Sequence, residues 1–490
     1  MRPGLLLRAV EVRPGVPGDV RVAGPVIAEI GPALAGRGER EVRGAGGALL
    51  PGLHDHHCHL LATAAAAGSV PCGPPAVTTA AGLAAALRAA VPDSGGWVRG
   101  VGYDEAVAGP LDRAALDRLV PDAPARVQHR SGALWMLNTR ALEALGVDDA
   151  PLDGAADARL DGAADARLDG AADARLDGAE RDASGRLTGR FWRLDGWLQR
   201  RLAAREPARA APDLAPVGRK LARYGVTGVT DATPDLPARS LDALAAAGRS
   251  GALPQRILLL GADPGFFPAG PRKIVLADHD LPAFDRLRAA VAAARRAGRP
   301  LALHCVTREA LLLALAVLDE AGPRPGDRIE HAAVSPPEAV QAMARAGLAV
   351  VTQPSLLARR GDDYLDRAEA DDVPFLWRYR SFLDAGVPVG GSSDAPYGDL
   401  DPWASIVAAT SRTTPSGRVA GPGERVSAGQ ALAGYLSDPW SPGGPPRELA
   451  VGRPADLVLL RDPLARALAE PGHDRVRLTL IGGIPAYEAS

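Results

Sequence analysis

The stretch Pro51-Gly52-Leu53-His54-Asp55-His56-His57-Cys58-His59-Leu60 contains four of the nine histidines of the chain. His57 and His59 form an H-x-H pair, and alternate side chains of a β-strand lie on one face. Both imidazoles can therefore reach one metal ion, whereas His54 and His56 alternate off that face and are interpreted as packing or supporting residues. The alternative is that the histidines cluster in a surface loop by chance or form a weak adventitious metal site. The metal-site interpretation therefore requires further ligands elsewhere in the chain.

The composition restricts the class of protein. The chain has 490 residues, of which 47% are hydrophobic, enough for a large barrel with additional segments. A formal net charge of −2 gives no support for nucleic-acid or membrane-surface binding. Three cysteines favour a reducing cytoplasm over a disulfide framework, and no stretch is long enough for a transmembrane helix. Abundant Ala, Gly, Pro and Arg beside two lysines indicate a GC-rich bacterial genome.

The middle of the chain alternates short apolar β runs with helical stretches rich in Ala, Leu and Arg, which predicts a parallel α/β architecture. The candidate strands are Leu49–His59, Gly225–Asp231, Ile257–Gly261, Lys273–Leu276, Leu301–Cys305, Arg328–His331, Ala349–Gln353 and Val387–Asp394. Eight β/α units favour a TIM-like (β/α)8 barrel, whose catalytic groups lie at the C-terminal ends of the strands.

The gap between the first two candidate strands is far longer than a crossover needs, so residues 70–215 are predicted to contain an insertion after strand 1. Within it, the octapeptide Leu-Asp-Gly-Ala-Ala-Asp-Ala-Arg begins at Leu152, Leu160 and Leu168, and a degraded copy begins at Leu176. Calcium-binding β-roll repeats have nine residues and more glycines, so their register does not fit. We interpret residues 152–179 as a repeat expansion in an exposed loop.

Three candidate strands end in residues that can bind a metal ion, namely His304, His331 and Asp394. Each has a structural alternative, because a histidine can be a hydrogen-bonded core residue and an aspartate can form a turn or cap a helix. Two strand-ending histidines in successive β/α units favour the metal-binding interpretation.

Together these motifs resemble the amidohydrolase superfamily of metal-dependent hydrolases. The H-x-H segment resembles the family's first-strand signature, and Ser392-Ser393-Asp394-Ala395-Pro396 resembles its G-S-D-x-P phrase with a serine, Ser392, in place of the glycine. The segments 97–104 and 129–138 resemble the YtcJ-like branch, also called the amidohydrolase 3 group.

The resemblance implies a small β-sandwich domain formed by both chain ends, residues 1–51 and 447–490. The barrel would then occupy residues 52–446, with the insertion inside it. Strand-like runs with period-two alternation near both ends agree with this division. The phrase Gly452-Arg453-Pro454-Ala455-Asp456-Leu457-Val458 resembles the family's G-K-x-A-D-L-V tail, with Arg453 in place of the usual lysine.

Lys273 is a further candidate ligand. In the YtcJ-like branch a V-K-I phrase supplies a lysine that reacts with CO2, and Arg272-Lys273-Ile274 resembles that phrase. The carbamate bridges two metal ions and requires a neutral amine, while a surface lysine beside a strand is the alternative. The resemblance implies one metal ion on His57, His59 and Asp394, a second on His304 and His331, and Lys273 between them.

Imidazole and carboxylate ligands suit Zn²⁺ best, with Mn²⁺, Fe²⁺, Co²⁺ or Ni²⁺ as alternatives. Asp55 and Glu330 adjoin the candidate ligands and are predicted to orient them. Gln353 lies at the end of the seventh candidate strand and matches a Q-P phrase of the branch. It is predicted to line the pocket, and a structural cap is the alternative.

The function implied by the resemblance is hydrolysis of a non-peptide C–N bond, in an amide or cyclic amide, of a small-molecule substrate. A hydroxide that bridges the two metal ions would attack the substrate carbon, and Asp394 would act first as general base and then as general acid. The sequence leaves the oligomeric state open, with a homodimer as one candidate.

Two alternatives remain at this point. A mononuclear deaminase of the same superfamily would use His57, His59, His304 and Asp394, but such enzymes need a glutamate close after His304, and the first acid there is Glu309. A non-catalytic scaffold of this fold would have lost ligands, whereas the set here is complete. Metal content of two, one or zero equivalents separates the three hypotheses.

Overall fold

The computed structural model describes residues 4–147, 178–205, 211–261, 263–278 and 280–489. The chain divides into two compact units, and the larger one contains the described residues 4–63 and 214–489. The smaller unit contains the described residues between 64 and 213. Apart from their last two positions, the octapeptide repeats predicted at 152–179 lie outside the described residues.

Short β-strands form the sheets of both units. In chain order the strands of the described residues are β1 (Leu5–Arg13), β2 (Val16–Ala23), β3 (Val26–Gly31), β4 (Arg40–Arg43), β5 (Leu49–Pro51), β6 (Leu53–Cys58), β7 (Val70–Pro71), β8 (Val98–Tyr103), β9 (Ala125–His129), β10 (Leu134–Leu137), β11 (Ala179–Arg181), β12 (Leu187–Trp192), β13 (Val226–Asp231), β14 (Arg256–Leu259), β15 (Arg272–Val275), β16 (Leu301–Cys305), β17 (Arg328–His331), β18 (Ala349–Thr352), β19 (Val389–Gly391), β20 (Ser437–Asp438), β21 (Ser441–Pro446), β22 (Leu457–Leu460), β23 (Val476–Ile481) and β24 (Ile484–Glu488).

Helices connect most of these strands. The α-helices of the described residues are α1 (Leu60–Ala67), α2 (Ala80–Arg88), α3 (Glu105–Ala108), α4 (Arg113–Leu119), α5 (Thr139–Leu145), α6 (Asp195–Arg205), α7 (Ala215–Arg223), α8 (Ala238–Ser250), α9 (Phe284–Arg296), α10 (Arg308–Ala321), α11 (Pro337–Ala346), α12 (Ser355–Arg367), α13 (Arg380–Asp384), α14 (Pro402–Ser411), α15 (Ala428–Leu436) and α16 (Leu464–Ala469). No helix in the described part of the chain combines the length and the apolar character that a membrane span requires.

The centre of the larger unit consists of parallel strands. One sheet has the order β14-β13-β6 and a second has the order β15-β16-β17-β18-β19. Backbone hydrogen bonds join the two sheets at both edges, from Lys273 N–H to Leu260 O (3.0 Å) and from Asp394 N–H to His57 O (2.8 Å). A parallel strand is present at each of the eight positions predicted from the alternating pattern, although the first prediction is too long at its N-terminal end.

The prediction of one continuous first strand, Leu49–His59, is wrong, because the structure divides this segment at Gly52 into β5 and β6. The backbone N–H of Gly52 donates to Asp456 O in the C-terminal region, whereas Leu53 N–H donates to Gly225 O beside β13. A side chain at Gly52 would collide with Thr227, so only glycine fits this close approach. The short segment β5 therefore belongs to a terminal sheet, and β6 belongs to the central one.

Helix α10 shows how the crossover helices form and pack. The hydroxyl of Thr307 accepts a hydrogen bond from Ala310 N–H and begins the helix. Leu311, Leu315 and Leu318 recur at helical spacing and are buried. Leucine-rich faces of this kind cover the parallel strands, which keeps the histidine-bearing strand β16 away from solvent on its outer side.

Both chain ends contribute to two four-stranded sheets of the larger unit, with the orders β3-β2-β1-β4 and β24-β23-β22-β5. The two sheets share one hydrophobic core, to which Leu7 and Val20 contribute from the first sheet and Leu457 and Leu478 from the second. Strands from residues 5–51 and 457–488 therefore pack together, as the period-two alternation at the two ends predicts.

The smaller unit is built on a six-stranded sheet with the order β11-β12-β10-β9-β8-β7. The buried side chain of Asn138 organises this unit. Its Oδ1 accepts hydrogen bonds from the backbone N–H groups of Ala125 and Ala141, and its Nδ2 donates to the carbonyl groups of Val120 and Ala123. Because all four hydrogen-bonding positions of the amide are used, Asn138 has a structural role within this unit.

Candidate metal site

The predicted ligands come together in the larger unit. Nε2 of His57 and Nε2 of His59 lie 3.5 Å and 3.3 Å from Oδ1 of Asp394. One donor atom from each of these residues lies within 4.8 Å of the other two, as expected for groups that hold one metal ion. The H-x-H pair and the aspartate that follows β19 are therefore one cluster, although 334 residues lie between His59 and Asp394 in the sequence.

His304 and His331 form a second pair of nitrogen donors beside the first cluster. Nδ1 of His304 lies 2.9 Å from Nε2 of His331. The His331 ring is 4.8 Å from the His57 ring, measured between centroids, and its Nδ1 is 4.0 Å from Oδ2 of Asp394. The two groups of donors are thus in contact within one buried region.

The backbone of His331 explains how its side chain joins this region. In a regular strand consecutive side chains point to opposite faces, yet both Glu330 and His331 contact site histidines. His331 has a left-handed backbone with φ of 69°, which is uncommon for a residue other than glycine. This turn at the end of β17 brings the imidazole back to the side on which Glu330 lies.

Lys273 lies closer to the N-terminal end of its strand than the histidines do on theirs, and its long side chain extends to the site. The register pairs Lys273 with Ala302 and pairs Val275 with His304, so the lysine is two residues earlier along its strand. Two residues correspond to about 6–7 Å of strand, a distance that the four-carbon stem of lysine can span. Its Nζ lies 3.2 Å from Nε2 of His57, and the side chain is buried. The structure therefore places the predicted lysine at the histidine cluster and not at the surface.

Two residues that were predicted to support the site, Glu330 and Gln353, contact the Nδ1 atoms of site histidines. A carboxylate oxygen of Glu330 forms a short contact with Nδ1 of His57. The amide oxygen of Gln353 lies 2.8 Å from Nδ1 of His331. In each case the Nδ1 hydrogen is directed to an oxygen, which leaves the Nε2 lone pair of the same ring facing the cluster.

Asp55 supports the site through the backbone. Its Oδ1 accepts hydrogen bonds from the N–H groups of His57 (3.1 Å) and Ser393 (3.0 Å). Burial raises the pKa of this carboxyl group to about 6, and the hydrogen bonds from Ser393 and His57 oppose that shift. Asp55 thus links the segment that carries the H-x-H pair to the segment that carries Asp394.

His54 and His56 point away from the cluster, as the strand alternation predicts. Nε2 of His54 lies 2.9 Å from the hydroxyl oxygen of Thr230, and Nε2 of His56 lies 3.0 Å from that of Ser437. Cys305 likewise faces the helix layer, because its thiol donates to Ala310 O in α10 at 3.6 Å. These residues pack the strands and contribute no donor to the cluster.

Three supporting residues were not identified from the sequence. The hydroxyl oxygen of Thr233 lies 3.1 Å from Nδ1 of His59, and Arg328 donates to Glu330 at 2.6 Å. The hydroxyl of Ser392 lies 2.9 Å from the amide nitrogen of Gln353. Thr233 and Arg328 stand in no motif, whereas the departure of Ser392 from the G-S-D-x-P phrase was a signal available in the sequence.

Burial sets the charge state of the nitrogen donors. It lowers the pKa of His57 and His304 well below 6.5, so both rings are neutral at pH 7 and present lone pairs. Burial also lowers the pKa of the Lys273 ammonium from 10.5, although the carboxylates of Glu330 and Asp394 oppose the shift. The cluster therefore favours neutral nitrogen donors.

The carboxyl group of Asp394 keeps its charged form despite burial, unlike the nitrogen donors of the site. Burial alone would raise the pKa of its carboxyl group, but the hydrogen bond with His59 and the neighbouring His331 and His57 keep it below 3.8. The carboxylate is consequently ionised at neutral pH. One anionic oxygen ligand beside neutral imidazoles is a donor set that Zn²⁺ and similar divalent ions accept.

Comparison with known proteins identifies relatives across most of the chain. The chain is similar to an N-substituted formamide deformylase of Arthrobacter pascens, with 27% identity over 554 residues that cover 98% of this chain and 97% of the relative. It is also similar to the putative amidohydrolase YtcJ of Bacillus subtilis strain 168, with 28% identity over 211 residues that cover 40% of this chain and 39% of that one.

Solved structures share the fold at low sequence identity. An uncharacterized metal-dependent hydrolase from Pyrococcus horikoshii OT3 has a TM-score of 0.70 and 18% identity, with 94% of this chain and 98% of that chain covered. The zinc complex of atrazine chlorohydrolase TrzN from Arthrobacter aurescens TC1 has a TM-score of 0.55 and 17% identity, with 99% and 95% covered. These similarities confirm the predicted α/β fold of the amidohydrolase type.

The family is established by sequence. The profile of the amidohydrolase family matches residues 44–487, a range that includes every predicted ligand and most of both units. This match confirms the resemblance that the H-x-H pair and the later strand-end residues indicate. The chain belongs to the amidohydrolase family of hydrolases.

Proposed function

We propose that this protein is a binuclear metallohydrolase that cleaves a non-peptide C–N bond, in an amide or cyclic amide, of a small molecule. The observation that carries the proposal is the buried cluster in which His57, His59 and Asp394 lie beside His304 and His331, with the amine of Lys273 in contact with His57. The similarity to an N-substituted formamide deformylase over 98% of the chain supports a C–N bond as the target.

The eight central strands form a (β/α)8 barrel in this proposal. The hydrogen bonds that join β14 to β15 and β19 to β6 support closure of the two sheets into one barrel. Residues 1–51 and 447–490 form a β-sandwich domain, and residues 52–446 form the barrel with the insertion at 70–215. The core shared by the two terminal sheets supports the sandwich.

The metal ligands follow from the donor atoms. His57, His59 and Asp394 would hold one ion, and His304 and His331 would hold the second. The neutral amine of Lys273 would add CO2 and release a proton to solvent, and the resulting carbamate would supply oxygen ligands. The lowered pKa of the buried amine supports this step, because only the unprotonated nitrogen is a nucleophile.

The supporting residues act on the ligands. Glu330 and Gln353 accept the Nδ1 hydrogens of His57 and His331, and this direction of hydrogen bonding presents both Nε2 lone pairs to the cluster. Asp55 holds the backbone on either side of Asp394 and His57. These contacts fix the donors before any ligand enters, which reduces the reorganisation needed on binding.

Asp394 moves the proton in the reaction. A divalent metal ion held by these residues would supply Lewis acidity and make water at the site a stronger nucleophile at neutral pH. The ionised Asp394 carboxylate accepts the proton of the attacking water and then delivers it to the nitrogen of the departing amine. Water and the amide thus give a carboxylic acid and an amine, and the same carboxylate is base and then acid.

A substrate panel combined with metal analysis tests the function. Zinc-loaded enzyme is assayed for amine release from N-substituted formamides, other amides, cyclic amides and carbamates. Asp394→Asn is expected to lower kcat by about 10²–10⁴-fold. Asp285→Asn, which alters an exposed carboxylate on α9, is the matched control and keeps full activity. Release of ammonia from amino-heterocycles by a protein with one metal equivalent would instead support the deaminase alternative.

A further inference from the structure

We infer that Ser392 is a positioning residue that fixes which nitrogen of His331 faces the metal site, acting through Gln353. The inference rests on the proposed function for the role of His331. It concerns the position at which this chain carries a serine and the resembling G-S-D-x-P phrase has a glycine. A hydroxyl at this position adds a hydrogen-bonding group directly behind a residue that contacts a proposed ligand.

The hydrogen bonds run in one direction through the three residues. The Ser392 hydroxyl donates to Thr352 O at 3.1 Å, so its lone pairs are left to accept. The amide nitrogen of Gln353 donates to that hydroxyl oxygen at 2.9 Å and to Val351 O at 3.3 Å. The amide oxygen of Gln353 is consequently turned towards Nδ1 of His331, at 2.8 Å.

The opposite orientation of the Gln353 amide is unfavourable. It would place the amide oxygen against Val351 O, where two acceptors repel each other, and would direct an N–H group at Nδ1 of His331. The hydrogen on His331 would then move to Nε2, which faces Nδ1 of His304 at 2.9 Å. Ser392 strengthens the orientation that keeps Nε2 free of hydrogen.

Ser392 is itself firmly held. Its side chain is fully buried, as is that of Gln353, so neither water nor a surface group replaces the contact between them. The hydroxyl of Tyr435 donates to the backbone carbonyl of Ser392 at 3.3 Å. A residue fixed at both its backbone and its hydroxyl can transmit orientation to the amide that it contacts.

The test uses zinc affinity and the tautomer of His331. The zinc dissociation constant is measured by chelator competition for wild type, Ser392→Ala, Gln353→Leu and the double variant. We expect Ser392→Ala to weaken zinc binding about tenfold, and to have no further effect once Gln353 is replaced. In the metal-free protein, ¹⁵N shifts of labelled histidine are expected to show the Nδ1–H tautomer of His331 in wild type and a mixture of the Nδ1–H and Nε2–H tautomers in Ser392→Ala.

The control is Ser335→Ala, which removes another buried serine hydroxyl near His331 without touching Gln353. It is expected to leave both the zinc affinity and the tautomer unchanged. Equal weakening by Ser392→Ala in both backgrounds, or an unchanged His331 tautomer in metal-free Ser392→Ala, would overturn the inference. If wild type binds no zinc, the proposed function fails, and the metal-free spectra alone decide the role of Ser392.

Discussion

The amine nitrogen of Lys273 lies 3.2 Å from Nε2 of His57, and both side chains are buried. Because Nδ1 of His57 is directed to Glu330, its Nε2 is the acceptor for the lysine amine. Burial lowers the pKa of this amine, which favours the neutral form that reacts with CO2. One contact thus connects the first candidate strand to the fourth and links lysine chemistry to the metal site.

Replacing Glu330 by glutamine is expected to weaken zinc binding by about 10–100-fold. A glutamine can accept from Nδ1 of His57 only by turning its amide nitrogen towards the guanidinium of Arg328, where two donors meet. Chelator competition gives the dissociation constant. Glu338→Gln, an exposed change on α11, serves as the matched control, and an unchanged zinc affinity in Glu330→Gln would contradict the role given to this carboxylate.

Thr233 provides a test at the other histidine of the H-x-H pair, His59. Thr233→Val keeps the shape of the side chain but removes the hydroxyl that contacts Nδ1 of His59, so zinc affinity is expected to fall about tenfold. Thr233→Ser retains a hydroxyl and is expected to bind zinc nearly as well as wild type. An unchanged zinc affinity in Thr233→Val, or a tenfold loss in Thr233→Ser, would contradict the role given to the hydroxyl.

Asn138 is expected to stabilise the smaller unit without affecting the metal site. Asn138→Ala removes four buried hydrogen bonds and should lower the free energy of unfolding by about 2–4 kcal/mol. Urea titration measures this loss, and zinc content should stay at the wild-type value. Ser94→Ala, in an exposed loop, should change stability by less than about 0.5 kcal/mol. Loss of zinc from folded Asn138→Ala would contradict a purely structural role.

Asp19 gives an expectation for the dependence of stability on pH. Burial would raise its pKa, but hydrogen bonds from Ala9 N–H, Leu34 N–H and Arg8 hold it below 3.8 in the folded protein. Since the folded pKa is the lower one, the stabilisation is complete above the unfolded pKa and is lost as the pH falls through the folded pKa. Asp19→Asn should therefore be less stable than wild type at pH 7, and the difference should shrink below about pH 4. A difference that is constant from pH 7 to pH 3 would contradict this account.

The sequence predicts the ligand-bearing strands well because their signals are local. A short apolar run that ends in histidine, as at His304 and His331, combines a strand pattern with a donor at the position where parallel strands meet. The left-handed backbone of His331 and the division of the first strand at Gly52 depend on neighbours far along the chain, such as Thr227. These features could not be predicted, because no local pattern records a close approach between distant segments.

Some of the residues that support the ligands are also recognisable from local sequence, and others are brought to the site only by the fold. Glu330 and Asp55 are next to or near ligands in the sequence, so they were predicted to orient them, although their partners were not. Thr233 follows the second candidate strand in a segment without a motif, and only the three-dimensional structure brings its hydroxyl to His59. Prediction from one sequence therefore finds donors more readily than the hydrogen bonds that direct them.

The binuclear site with Lys273 as a ligand is tested by metal analysis of wild type and Lys273→Ala. We expect two equivalents of divalent metal in wild type and fewer than two in Lys273→Ala, with activity lost. Lys220→Ala removes the other lysine of the chain, which is exposed on α7, and should retain two equivalents and full activity. Two equivalents and full activity in Lys273→Ala would contradict the bridging role of the lysine. A wild-type protein without metal after growth in supplemented medium would contradict the metallohydrolase account itself.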